Sequence, residues 1–402
     1  MDDAQFAELA AWIAGAGLAG ESETAMVTGF ATRANALGLP LDRVGVFIDT
    51  LHPIYEGRLF SWQAAEGTAT LREYGSSQEG EGLERWRRSP FYRLLQSGEP
   101  LLRRHVTPES QAEFPIVAEL VGMTDFVAMI NRFAAQGIVG EMDCVYSYWA
   151  TALPDGFRDA DIKDLKRLVP LLALAIKSAS LTRITRTLVE TYLGRDAGRR
   201  VLAGGITRGV ADRIEAVLWF SDLRGYTRIT DTAAPGQIIP LLNDYADAII
   251  SAIQAKGGDV LKLIGDGTLA IFTAADRDEA CRAALAAARS ATRSIGELNQ
   301  RRSGETLPVT DMYLALHFGE VFYGNIGSKE RLDFTVVGPA VNEVSRVAAL
   351  CRSLEQPVLI SATFADAAGE AKSRLVSVGR YALRGVSHPQ ELFTLDPTQA
   401  PL

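Results

Sequence analysis

The stretch "LKLIGDGTL", residues 261–269, decides how the C-terminal half of the chain is read. Apolar residues surround one carboxylate, Asp266, held between Gly265 and Gly267. Asp-Gly between apolar runs is a hairpin signal, so two strands joined by a tight turn are expected here. Upstream, "AVLWFSD" (216–222) is an apolar strand that ends on a second carboxylate, Asp222. Working outward, a helix is expected over about 236–255, strands over 259–264 and 268–273, a helix over 277–299 and a strand over 311–319. The order β-α-β-β-α-β is the ferredoxin-like pattern of an α+β domain. An extended stretch (321–337), a helix (341–352) and a small tail of strands and one helix follow.

In such a sheet the first strand is central and neighbours the hairpin, so Asp222 and Asp266 reach one edge together. Two carboxylates held side by side repel, and one of them is forced toward its protonated form. A pair of Mg²⁺ ions, roughly 3.5–4 Å apart, removes that repulsion and makes a phosphoryl-transfer site. Gly225 permits a tight turn into a segment whose backbone N–H groups suit phosphate. An Asp at a strand end is more often a cap or turn residue, and Lys262 alone reads as a solvated strand lysine. Further on, Asn342 and Arg346 stand four apart and share a helix face. An amide and a guanidinium on one face suit a ribose and a phosphate, although an ordinary polar face has the same pattern.

The chain has 402 residues, enough for two or three domains. A formal net charge of −8 without a basic run argues against nucleic acid as a partner. Cys144, Cys281 and Cys351 are widely spaced and odd in number, which fits a reducing cytoplasm. The acidic start "MDDAQFAELAAWIAGAG" does not look like a signal peptide. The longest apolar run, "LVPLLALAI", is far short of the ~20 residues of a membrane span, so no membrane is expected.

Residues 1–35 read as helical, with Phe6, Leu9, Trp12 and Ile13 on one face. Short strands run from "DRVGVFIDTL" to "DCVYSYWATAL", among them "RLFSWQ" and "ATLREY", together with a helical "SPFYRLLQSG". "DGFRDADIKDLKRLVPLLALAIKSAS" (155–180) is a long amphipathic helix capped by Asp159 or Asp161. Leu181, Ile184 and Leu188 continue the 3–4 spacing as a coiled-coil-like connector or a packed surface helix, and "GRDAGRRVLAGG" should hold a turn. The division is a helical segment 1–35, an α+β domain 36–180, a helical connector 181–215 and the ferredoxin-like domain 216–397.

Three long motifs, "FSDLRGYT", "LKLIGDGTLAIF" and "GEVFYGNIGSKERLDFTVVGPAVNEVSRVAAL", together resemble the catalytic domain of class III nucleotidyl cyclases. The resemblance covers about residues 212–397, including the closing "LRGVSHPQELFTL". It implies that Asp222 and Asp266 are the two metal-binding aspartates, for two Mg²⁺ or Mn²⁺ ions per site. Lys262 and Thr335 match the two base-selecting positions. Asn342 and Arg346 match the pair that orients the ribose and stabilises the transition state. Arg331 and Arg384 lie where the family tends to place cations for the triphosphate. In this family the site lies between two catalytic domains, which implies a homodimer here. Lys262 suits adenine N1 and opposes the N1–H of guanine, since both would be donors. A guanine site in this family usually shows Glu and a small residue such as Cys or Ser at these places. ATP is therefore the expected substrate. A guanylate or pyrimidine cyclase is the alternative enzyme, and a silent nucleotide-binding regulator the alternative from another class. No GG[DE]EF stretch of a diguanylate cyclase is present.

Residues 36–180 resemble, more faintly, a GAF-type sensor domain, with a PAS-like domain as the alternative. The signal, a small molecule or a protein, is not named by the sequence. His52 and His105 read as surface or core residues rather than ligands, and Trp62, Trp86 and Trp149 as aromatic core.

Overall fold

The computed structural model describes residues 1–384 and 388–396. The chain divides into two compact units, Met1–Leu188 and Val189–Leu402.

The first unit opens with helices α1 (Asp3–Ala19) and α2 (Glu23–Ala36). Strands β1 (Arg43–Asp49), β2 (Gly57–Gln63) and β3 (Ala69–Tyr74) follow. Short helices α3 (Gly80–Arg87) and α4 (Pro90–Ser97) come next, then β4 (Leu101–His105), α5 (Pro108–Glu113) and α6 (Pro115–Ala118). The unit closes with β5 (Asp125–Arg132), β6 (Cys144–Thr151) and the 35-residue helix α7 (Asp159–Leu193), whose end passes into the second unit. The strands form one antiparallel sheet in the order β3-β2-β1-β6-β5-β4.

Side chains alternate across this sheet. Val44, Val46, Ile48 and Trp149 pack under α1, α2 and α7, while Phe126, Ala128, Tyr146 and Tyr148 pack with Phe91 and Leu94 of α4 and Val117 of α6. The first 35 residues are therefore not a separate segment: Leu9, Ile13, Met26, Val27 and Phe30 belong to the core of this unit. Helix α7 starts at Asp159, so neither Asp159 nor Asp161 is its N-cap residue as expected; Asp161, in the first turn, reaches back to accept from the Arg158 N–H at 2.9 Å. By length and composition α7 could cross a membrane, yet 44% of its most apolar window is buried and its stripe of Leu165, Leu168, Leu172 and Ile176 is core. Trp62 and Trp149 are core, His52 accepts from backbone N–H groups of its own turn, and His105 is exposed.

In the second unit the expected connector 181–215 is only partly helical. Residues of "GRDAGRRVLAGG" form a helix, α8 (Arg195–Leu202), after Gly194 at φ +86°, and its Ala197 is core. Strand β7 (Ala211–Leu223) starts five residues before the expected 216. Then come α9 (Tyr226–Thr232), α10 (Pro235–Ala255), β8 (Asp259–Ile264), β9 (Gly267–Phe272) and α11 (Arg277–Gly304). The 16-residue β10 (Met312–Gly327) turns into β11 (Leu332–Val337) and α12 (Pro339–Ser353). Strand β12 (Val358–Ser361), α13 (Ala362–Ala367), β13 (Leu375–Tyr381) and β14 (Gln390–Leu395) close the unit.

The sheet order is β13-β14-β12-β10-β7-β9-β8, with β11 on the far part of β10. Strand β7 is central, between β10 and β9, as the ferredoxin-like order requires. Its side chains alternate: Val217 and Trp219 pack under α10, α11 and α13, while Ala216 and Leu218 pack under α12 and α8.

Candidate active site

Two groups of side chains gather in the second unit. The first is the aspartate pair. Asp222 lies one residue from the end of β7, and Asp266 lies in the two-residue turn where Ile264 pairs with Gly267. Gly265 takes φ +63° in that turn, a value that suits glycine. A Cβ on Gly267 would stand 3.2 Å from the carbonyl oxygens of Ile264 and Ser221, so a bare backbone lets the hairpin close on β7. Asp266 accepts from the Leu223 N–H at 3.3 Å, which brings its carboxyl to the end of β7. The Asp222 carboxyl is pushed up to about 7, by burial at the strand end and by the Asp266 carboxyl. Asp222 remains exposed to solvent, so repulsion from the neighbouring carboxyl is the stronger of the two causes.

Among the described residues no cluster of three or more His, Cys, Asp or Glu side chains forms a protein-only metal cage. A hard divalent cation such as Mg²⁺ does not need one, because it is commonly held by one or two carboxylates together with substrate phosphates and water. Two mutually repelling carboxylates fit that donor set. Gly225, at φ +69°, turns the chain directly from this edge into α9.

The second group is built by a slip in the β8–β9 ladder. Val260 pairs with Ala270, but Lys262 pairs with Leu269, so Leu261 is an extra residue in β8. Directly paired residues share a face. Leu269 belongs to the core beneath α12, and Ala270 to the core beneath α10 and α11. The slip therefore puts Lys262 on the α12 side of the sheet. There its ammonium is ion-paired with Asp333 of β11. Phe334 and Val336 point into the core, so Asp333 and Thr335 share the opposite face of β11. On α12, started by Gly338 (φ +144°) and Pro339, Asn342 is exposed and Arg346 half-buried. Neither has a hydrogen-bond or ion-pair partner among the described residues.

Arg331 is exposed at the tip of the β10–β11 hairpin, where its N–H donates to Ser328 Oγ at 3.0 Å. Arg384 is exposed in a turn after β13, beside residues 385–387, which lie outside those described. Neither makes a hydrogen bond or ion pair with the aspartate pair among the described residues. No hydrogen bond or ion pair joins Asp222 and Asp266 to Lys262, Thr335, Asn342 or Arg346 among the described residues. Asp333 was not singled out by sequence reasoning. Its only sequence signal is its place two residues before Thr335 on the same strand face.

Residues 211–397 match the family model described as the adenylate and guanylate cyclase catalytic domain. An uncharacterized protein of Mycobacterium tuberculosis is 33% identical over 218 residues, covering 52% of this chain and 38% of that protein. The adenylate cyclase of Anabaena cylindrica is 34% identical over 157 residues, covering 38% of this chain and 30% of that enzyme. The chain thus spans well under half the length of these relatives. Among solved structures, the guanylyl cyclase Cya2 is 28% identical with a TM-score of 0.42, covering 48% of this chain and 98% of that one. Over residues 211–397 the chain is thus similar in sequence to the adenylate and guanylate cyclase catalytic domain.

Proposed function

We propose that the chain is an adenylate cyclase that converts ATP to 3′,5′-cyclic AMP and pyrophosphate at sites shared by two copies of the chain. The observation that carries this reading is the pair Asp222 and Asp266, whose mutual repulsion is relieved by cations that also hold a triphosphate. Those cations, two Mg²⁺ or Mn²⁺ in this reading, supply when bound the positive charge that acidifies the ribose 3′-hydroxyl and neutralises the polyphosphate. The 3′-oxygen loses its proton and attacks the α-phosphorus as the bond to pyrophosphate breaks. Arg346 faces the charge that grows on the α-phosphate, Asn342 orients the ribose, and Arg331 and Arg384 hold the outer phosphates. Lys262 donates to adenine N1 and Thr335 accepts from the exocyclic amine.

The shared site is supported by the lack, among the described residues, of any hydrogen bond or ion pair between the two groups within one chain. Exposed apolar side chains on the second unit support a homodimer as well: Ile239, Leu263, Ile264, Phe322 and Val337 all stand in solvent here. In this proposal residues 36–180 are a GAF-like, or alternatively PAS-like, sensor for a small molecule or protein, residues 181–215 transmit its signal, and the protein works in the cytoplasm. The helix-flanked antiparallel sheet supports the sensor assignment, and three free cysteines support the compartment.

A guanylate cyclase is the second reading. One observation favours it: an ammonium beside a carboxylate, Lys262 with Asp333, also matches guanine O6 beside N1–H. Incubating the purified chain with each nucleoside triphosphate and Mg²⁺ or Mn²⁺, and identifying the product by mass, tests both. Absence of any cyclic nucleotide would leave only a silent binding domain.

A further inference from the structure

The face that carries Lys262 and Thr335 holds a third group. Asp333 Oδ2 takes the Lys262 ammonium, and its other oxygen, Oδ1, has no partner among the described residues. Both side chains are well exposed, 41% for Lys262 and 42% for Asp333, so the pair contributes little to stability. A structural role for the carboxylate is thus weak. Hydrogen-bonding capacity sorts the three groups: the ammonium only donates, the carboxylate only accepts, and the Thr335 hydroxyl does either. The Watson–Crick edge of adenine presents an acceptor, N1, beside a donor, the 6-amino group.

We propose that Asp333 is a specificity-determining residue that accepts from the adenine 6-amino group through one carboxylate oxygen while the other keeps Lys262 aimed at N1. The proposal rests on the adenylate cyclase reading and deepens it. The outward carboxylate that the base needs stands on β11 two residues before Thr335, and Thr335 contributes less. Guanine in the same pose would set its O6 against Asp333 and its N1–H against Lys262, two like-on-like encounters.

The test uses the full chain and an analogue of ATP that lacks only the 6-amino group, purine riboside triphosphate. Both nucleotides are taken in their 3′-deoxy forms, so that binding is read without turnover. Wild type should bind 3′-deoxy-ATP about 10- to 100-fold tighter than the analogue, the worth of one hydrogen bond to a charged group. In Asp333→Ala this ratio should fall by about tenfold or more, and in Thr335→Ala, which removes the weaker neutral acceptor, by a clearly smaller factor. Asp333→Asn, which keeps the space and one acceptor oxygen, should restore part of the ratio and controls for local rearrangement. An unchanged ratio in Asp333→Ala would overturn the proposal. So would a ratio lost only in Thr335→Ala, or tighter binding of 3′-deoxy-GTP than of 3′-deoxy-ATP by wild type. A wild type that shows the ratio but forms no cyclic AMP from ATP would refute the enzymatic reading and leave the base contact standing.

Discussion

Mixing two inactive variants should restore activity, and the amount follows from where the residues lie. Within one chain no hydrogen bond or ion pair joins the Asp222–Asp266 pair to Lys262, Asn342 or Arg346 among the described residues. If a working site takes the aspartates from one copy and Arg346 from the other, Asp222→Ala and Arg346→Ala homodimers are both dead. Random reassortment of an equal mixture makes about half of the dimers mixed. In a mixed dimer one site carries both lesions and the other carries neither. About a quarter of all sites are then intact, so the mixture should reach about a quarter of wild-type turnover. The assay is cyclic AMP production before and after subunit exchange, with exchange proven by capture through differently tagged copies. A site built within one chain predicts the opposite, because every site in a mixed dimer would then carry one lesion. Proven exchange with no rise above the two parents would refute the shared site.

Asp222→Ala or Asp266→Ala alone should abolish turnover in Mg²⁺ and Mn²⁺ while leaving circular dichroism unchanged; near-wild-type rates in either variant would remove the two-metal reading. The raised Asp222 value, about 7 against ~3.9 unfolded, has a defined sign: its stabilisation is complete below the unfolded value and is lost as pH rises through about 7. Metal-free protein should therefore melt lower at about pH 8 than at about pH 5, Mg²⁺ should raise the midpoint more at the higher pH, and Asp222→Asn should flatten both effects. A Mg²⁺ response independent of pH would contradict this. In the first unit, Glu23 is 1% exposed and binds Ser180 and Arg183 of α7 at 3.2 Å each. Removing it in Glu23→Ala strands a partly exposed guanidinium and should cost about 1–3 kcal/mol in urea denaturation, below the full value for a wholly buried pair. A loss under about 0.5 kcal/mol would show that the pair is offset by its own desolvation.

Much of the catalytic domain was legible because its signals are local. Short apolar runs mark β7 and β9, helical periodicity marks α10 and α11, and Gly265-Asp266-Gly267 fixes the hairpin. The meeting of Asp222 with Asp266 followed from strand order alone, and the structure places them together. What stayed hidden depends on partners distant in sequence. Strand β10 runs unbroken through residues read as a strand followed by a loose extended stretch, because β11 pairs with its far part. Helix α8 was taken for a turn because Gly194, Gly198, Gly204 and Gly205 speak locally against a helix. A Cβ on Gly198 would stand 3.0 Å from the Glu190 Cα, so the glycine admits close packing rather than a break. Asp333 was missed because its meaning lies in a lysine 71 residues away.

The extra residue in β8 makes the length of a strand part of its chemistry. Deleting Leu263 would change none of the residues to which a metal, ribose or base role is assigned here. The ladder would become regular, and Lys262 would move opposite Thr268, to the side of the sheet packed by α10 and α11. The ammonium would lose Asp333 and face a hydrocarbon core. Such a chain would keep every one of those residues and lose the means to read a base. For chains of this kind, a spacing changed by one residue between the β8 lysine and the hairpin aspartate is as strong a sign of a silenced domain as a missing aspartate.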